Sequence, residues 1–387
     1  MTRASVTALI LLLGIGCYPK GWRETTPLYL VGNTSPFHVG PYVLKTGPQR
    51  ATVVLEHQLE EAPTLIWWFQ DTNTVLSVPQ DQNRTSFQFD DALWVAEIDN
   101  IDPSTGIGYF VMSEVGTSEP ARFRVGRPMN ERFKFAAIGD TRTGHRVHRA
   151  LMESLALREI DFVINSGDLV ESGGYKEEWD LFFQIEHPVV SKAPLFAAVG
   201  NHDNSPRQLF RRWFRLEDWA NGHRYFVQDW GSVRVVCLDS EIEMRAGSEQ
   251  YAFLERALAE GAKKDQLMVV SLHYPPYSSG AHGPNPHLQR VLGVLGERYG
   301  VEVVLSGHDH NYERTIPIKG VTYIVAASGG APIRRLTPSW WSEMVRTEPH
   351  YIVFDVDRGN LIGEAINLNG SVFDRFIIKP VPPQAAP

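Results

Sequence analysis

Five short apolar runs in the second part of this chain end alike, and that repetition constrains its fold more than any other feature. Phe133–Ile138 runs into Gly139-Asp140, Phe162–Asn165 into Ser166-Gly167-Asp168, and Leu195–Val199 into Gly200-Asn201-His202-Asp203. Leu267–Leu272 runs into His273, and Val301–Leu305 into Ser306-Gly307-His308-Asp309-His310. Runs of this length, bounded by turn formers, read as buried strands. Between them the apolar period lengthens to that of a helix: Val147, Leu151 and Leu155; Tyr251, Leu254 and Leu258; Leu288, Val291, Leu292 and Leu295. Gly300 follows the last set where a helix C-terminus favours glycine. Alternating strand and helix predicts an α/β (α+β) domain with a substantial sheet over residues 127–380.

In open α/β sheets, ligands bind beyond the carboxyl ends of the strands. Asp140, Asp168, Asn201, His273, His308 and His310 all fall at that end. A single Gly-Asp is usually a turn, and a single strand-end histidine usually a structural residue. The information lies in five such ends in one chain, two of them richer: Gly-Asn-His-Asp and Gly-His-x-His. Imidazole nitrogens with carboxylate and amide oxygens suit borderline and hard divalent ions, and Fe(III). One carboxylate between two ions can bridge them, which is the arrangement of two-metal hydrolytic centres.

The first part of the chain has a different texture. Ala51–Glu56, Thr64–Phe69, Ser86–Phe89, Leu93–Ile98, Gly108–Ser113 and Arg122–Val125 are short β-branched and aromatic runs separated by turn formers. They predict a small all-β sandwich over residues 41–126. Trp67 and Trp68 share one of these strands, one ring expected in the core and the other against a neighbour. Residues 18–40 read as a linker and 381–387 as a Pro-rich tail. At the N-terminus, Arg3 and the apolar stretch to Ile15 form a segment too short to span a bilayer. It closes in Leu13-Gly14-Ile15-Gly16-Cys17, which resembles a bacterial lipoprotein lipobox, with Gly14 departing from the usual Leu. The resemblance implies residues 1–17 as a signal peptide, lipidation of Cys17, and an exported lipoprotein whose only membrane contact is that lipid. The other reading is an ordinary secretory signal. Cys237, in an apolar run, reads as a buried small hydrophobe. The formal net charge of −8 argues against a nucleic-acid binder.

The strand-end residues resemble the calcineurin-like metallophosphoesterases, and most of all their purple acid phosphatase branch. That pattern is an Asp (Asp140), Gly-Asp-x-x-Tyr (Gly167-Asp168), Gly-Asn-His (Gly200-Asn201-His202), a single His (His273) and Gly-His-x-His (Gly307 to His310). The stretches His273 to Pro284, Gly307 to Thr315 and Val321 to Gly330 resemble the family as well, and its N-terminal fibronectin-like domain matches the sandwich. The resemblance implies a four-layer αββα sandwich. It also implies two metal ions, Fe, Zn, Mn or similar: Asp140, Asp168 and His310 on the first, with Asp168 bridging to a second completed by Asn201, His273 and His308. It places His202 and His282 at the substrate phosphate, with Asp203 orienting His202.

Two departures stand out. Glu171 occupies the family's tyrosine position, so a tyrosinate colour is not expected. Where the wider superfamily often has a histidine, this chain has Arg142, suited to bidentate contact with phosphate. His145 and His148 follow; either could complete the first metal or approach the substrate, and His148 is the preferred candidate, expected as a substrate contact. The implied reaction is hydrolysis of a small phosphate monoester by in-line attack of a metal-bridged hydroxide. A phosphodiesterase or nucleotidase is the alternative within the same site, and a non-catalytic surface binding protein the alternative outside it.

Overall fold

The computed structural model describes residues 35–70 and 76–383. The signal segment, Cys17, residues 18–34 of the linker and the last four residues of the tail lie outside the described residues. Among those described, no helix is long and apolar enough to cross a membrane.

The N-terminal part is two facing antiparallel sheets. One is ordered Val39–Gly47, Arg50–Glu56, Leu93–Ile98, Gln88–Asp90. The other is built on Thr64–Gln70 paired with Gly106–Ser113. Strand alternation sends Val43, Val53 and Leu55 into the space between the sheets, against Leu65, Tyr109, Val111 and Phe123. The opposite parity, Tyr42, Leu44, Val54 and Val95, is equally buried, because it packs into the core of the following domain. Tyr42 stacks on Phe183 with ring centres 4.3 Å apart and donates its hydroxyl to the Trp213 carbonyl at 2.8 Å. The first sheet is therefore apolar on both faces, and the sandwich is fused to its neighbour through a shared core. Trp68 is buried over Gly108, its cross-strand partner, where a Cβ would lie 2.3 Å from the indole. Trp67 packs against the sandwich core.

The second part has four layers. A six-stranded sheet runs in the order Leu195–Ala197, Phe162–Asn165, Phe133–Ile138, His350–Asp357, Asn360–Asn367, Val372–Ile378. A seven-stranded sheet carries parallel Val233–Cys237, Leu267–Ser271, Val301–Ser306 and Thr322–Ala326 at its centre. Val235, Val269 and Val303 face the first sheet, where they join Phe135, Phe162 and Phe354. The alternate residues Val236, Val270 and Val304 face helices Glu249–Lys263 and Pro286–Tyr299. Helices His145–Ala156 and Lys176–Val190 cover the first sheet. Local signals fix the helix ends. Ser248 caps one N-terminus by accepting from Tyr251 N, Asn285 caps another ahead of Pro286, and Gly300 closes that helix at φ 79°. Across the two sheets, Tyr312 and Arg314 both bond the buried Asp374, at 2.7 and 2.8 Å.

Candidate metal centre

Parallel pairing brings the strand ends level. Ile138 pairs with Asn165 and Asn165 with Ala197, so the turns carrying Asp140, Asp168 and Asn201 emerge side by side. In the second sheet Ser271 pairs with Leu305, which levels His273 with the turn carrying His308 and His310. Close approach of these turns requires glycine. A Cβ on Gly200 would lie 2.2 Å from the Asp168 nitrogen, and one on Gly307 would lie 2.6 Å from Asp140 Oδ2. Asp140, Asp168, His308 and His310 themselves take left-handed φ values of 52°, 55°, 75° and 48°. Such conformations cost free energy in non-glycine residues and persist where the surroundings over-determine them. Here the surroundings are hydrogen bonds between turns: Asp140 N to Gly167 O at 2.9 Å, Gly307 N to His273 O at 3.0 Å, and His308 N to Asp140 Oδ2 at 2.9 Å.

The six candidate ligands form two overlapping sets. Asp140, Asp168 and His310 place donor atoms within 4.8 Å of one another, all three buried. Asp140 Oδ1 lies 3.3 Å from His310 Nε2. In the second set, His273 Nε2 lies 3.1 Å from Asn201 Oδ1 and 3.4 Å from Asp168 Oδ1. The His308 ring completes it, with its centre 5.1 Å from that of His273. Asp168 belongs to both sets.

Hydrogen-bond bookkeeping shows that these residues fit cations. His273 Nδ1 faces the Ser166 carbonyl at 3.0 Å, and His310 Nδ1 the Pro332 carbonyl at 2.8 Å. A carbonyl only accepts, so each Nδ1 carries the proton and each Nε2 presents a lone pair. Nitrogen and oxygen lone pairs then face one another across 3.1–3.4 Å. Asp140 Oδ1 is buried and has no hydrogen-bond donor. A bound cation reconciles such a cluster, and an outer Nδ1–H to carbonyl bond is the usual support of a metal-binding imidazole. Burial holds His308 down to about 3 and His310 down to about 4, keeping both neutral and ready to bind. Burial also pushes the Asp140 acid up to about 7, opposed by His273 and reinforced by the Asp168 charge. Asp168 is held below the usual carboxylate range: burial raises it, but His273, the His202 amide and Arg142 outweigh that.

The expected substrate-side residues separate into two groups. His202 remains half-buried at the rim. Its Nδ1 donates to the Glu171 carbonyl at 2.7 Å and its amide to Asp168 Oδ1 at 2.9 Å, which leaves Nε2 free. His282 tilts over His308 with ring centres 4.1 Å apart, anchored by its amide to Asp309 Oδ1 at 2.8 Å. Arg142 is buried beside the first set: Nε bonds Asp168 Oδ2 at 3.1 Å and Nη2 lies 3.4 Å from His310 Nε2. Its Nη1 holds Glu171, so the residue at the tyrosine position is turned toward a guanidinium.

Two expectations need correction. His148 is fully buried between two helices, with Nε2 on Glu186 at 2.7 Å and its ring against Phe182, so it packs the scaffold instead of meeting substrate. Asp203 does not orient the His202 ring. Its Oδ1 accepts the Leu169 and Val170 amides at 2.8 and 3.1 Å, and its Oδ2 the Gly200 amide at 2.8 Å. It ties the Asp168 turn to the Asn201 turn and is a positioning residue. One residue at the site was not anticipated: Arg334, whose Nη1 donates to the His308 carbonyl at 3.3 Å and to His282 Nε2. The signal was available, since Val321–Ala327 is another apolar run ending in Ser328-Gly329-Gly330.

Comparison with known proteins agrees with this geometry. Residues 133–312 match the family model of the calcineurin-like phosphoesterases. Over 231 residues the chain is 30% identical to the probable inactive purple acid phosphatase 24 of Arabidopsis thaliana, covering 48% of this chain and 37% of that protein. It is 27% identical over 231 residues to a nucleotide pyrophosphatase/phosphodiesterase of Hordeum vulgare, covering 48% of this chain and 62% of that one. The chain thus spans less than two thirds of these curated relatives. Among solved structures, purple acid phosphatase PPD1 from yellow lupin superposes with a TM-score of 0.73 at 20% identity, covering 88% of this chain and 74% of its own. Residues 133–312 are thus similar to the calcineurin-like phosphoesterases, and the chain is similar to purple acid phosphatases in sequence over 48% of its length and in fold over 88%.

Proposed function

We propose that this protein hydrolyses small phosphate monoesters at a binuclear metal centre held by Asp140, Asp168, Asn201, His273, His308 and His310. The observation that carries the reading is the meeting of two lone-pair clusters that share Asp168. Metal ions bound there would supply Lewis acidity toward phosphoryl oxygens and would acidify water at neutral pH. The remaining roles belong to side chains of this chain. His202, with Nδ1–H committed to the Glu171 carbonyl, is suited to pass a proton from Nε2 to the departing alkoxide. Arg142 holds Asp168 ionised and in place. Asp203 and the inter-turn amide bonds keep the ligands at fixed separations, so little reorganisation is needed during reaction. The identity of the metals, proposed as Fe, Zn or Mn, is read from the mixed nitrogen and oxygen donor set.

The test is elemental analysis of purified protein together with turnover of p-nitrophenyl phosphate. We expect up to two metal ions per chain and hydrolysis that a chelator abolishes and added metal restores. Asn201→Ala should lower kcat/KM by 100-fold or more, on the order of a lost ligand or transition-state donor. Metal-free protein with undiminished turnover, or an Asn201→Ala variant as active as the parent, would overturn the proposal.

A further inference from the structure

After strand Thr322–Ala326 the chain is laced onto the ligand turns. Gly329 N bonds Gly139 O at 2.9 Å, Ala331 N bonds Asp140 O at 2.8 Å, and Arg334 N bonds His310 O at 3.1 Å. These bonds carry the Arg334 side chain to the rim beside His308 and His282. Its guanidinium touches the His308 carbonyl and His282 Nε2, both neutral acceptors. Among the described residues it has no carboxylate partner. Arg142, by contrast, is spent on Asp168 and Glu171. A guanidinium offers five N–H donors, and both of these bonds come from a single nitrogen, so the rest of the fork is uncommitted. The centre therefore has a half-buried, preoriented cation that no carboxylate of the described residues contacts.

We propose that Arg334 is a specificity-determining residue that bonds the third non-bridging oxygen of a dianionic phosphate monoester. This inference rests on the phosphoesterase reading above and names its substrate class. A monoester has three such oxygens. Metal ions held by the six ligands would act as Lewis acids toward phosphoryl oxygens, and Arg334 stands at the rim, where it can meet a further charged oxygen. In a diester that third position is an esterified oxygen with no charge to offer, so the fork gains little from it. Arg334 thereby favours monoesters without any clash against diesters. His282 assists by position: a guanidinium only donates, so His282 accepts at Nε2 and carries its proton on Nδ1.

The experiment compares metal-loaded parent, Arg334→Gln and Arg334→Lys on p-nitrophenyl phosphate and bis(p-nitrophenyl) phosphate. Metal content and melting temperature serve as controls for folding. We expect Arg334→Gln to lower kcat/KM for the monoester by about 10- to 100-fold, the worth of a charge-assisted hydrogen bond. The diester value should stay within about threefold, and Arg334→Lys should fall between. Calorimetric affinity for inorganic phosphate should weaken in step with the monoester. An equal loss on both esters, or an unchanged ratio, overturns the proposal. So does a His282→Ala variant that reproduces the whole change in ratio and to which Arg334→Gln adds nothing, because Arg334 would then only hold His282. If the parent hydrolyses neither ester, the phosphoesterase reading itself fails. The phosphate titration then decides Arg334 alone, and equal affinity in parent and Arg334→Gln sinks it.

Discussion

Replacing Gly200 with alanine tests whether close approach of the turns builds the centre. The added Cβ would lie 2.2 Å from the Asp168 nitrogen, 2.3 Å from its Oδ1 and 3.0 Å from its Cα, whereas ordinary contact begins at 3.4 Å. Two of these atoms are backbone, so no rotamer change relieves the clash, and the turns must part by about 1 Å. Asp168 is the residue common to both ligand sets, so both lose their geometry together. A displacement of this size at reacting groups costs on the order of 100-fold in rate. We expect Gly200→Ala to lower kcat/KM for p-nitrophenyl phosphate by about that factor and to reduce the bound metal below that of the parent. The matched control is Gly293→Ala, inside helix Pro286–Tyr299, where a new Cβ meets nothing within 4 Å. That change should leave activity intact and stabilise by roughly 0.5–1 kcal/mol through helix propensity. A Gly200→Ala protein with parental metal content and turnover within threefold of normal would refute the steric argument.

Two further outcomes follow from buried histidines. His148→Phe removes the partner of Glu186, whose Oε2 is already without a bond, and should destabilise by about 1–3 kcal/mol in melting experiments. Turnover of the folded variant should stay near parental, and a large loss of kcat would return His148 to the substrate. Complete burial holds His350 down to about 4 against the ordinary 6.5. The folded state thus refuses a proton that the unfolded chain accepts. His350 costs nothing above pH 6.5 and destabilises progressively as pH falls toward 4, by of order 3 kcal/mol in total. His350→Gln should flatten the acid side of a melting-temperature profile between pH 7 and 4.5, and parallel profiles would dismiss the assignment.

How much of this was legible in the sequence depends on what each residue does. Gly139, Gly167, Gly200 and Gly307 mark where apolar strands break, and breaks at strand ends are where open α/β sheets bind ligands. An α/β sheet and the position of the six candidate ligands could therefore be read before any coordinates, while the four layers were implied only by the family resemblance. Asp203 could not, because a carboxylate that closes backbone amides and one that faces a substrate look the same beside His202. His148 was misread for a related reason: its partner Glu186 lies on another helix, 38 residues away. Arg334 sits four residues past Gly330, outside the stretches that carry the resemblance. The double-faced burial of Val39–Gly47 was partly visible in the unbroken Tyr42-Val43-Leu44, but not what would cover it.

That shared core limits how the chain can be divided. Cutting at Arg127 would uncover Phe183 and Trp213 where Tyr42 now packs, and would free Gln228 Nε2 from the Lys45 carbonyl, its acceptor at 3.1 Å. The released C-terminal half would carry a wet aromatic scar, and the released sandwich a sheet greasy on both sides. Each would tend to seek its lost partner on another molecule. The N-terminal module is better regarded as upholstery of the domain that carries the ligand turns than as cargo tethered to it.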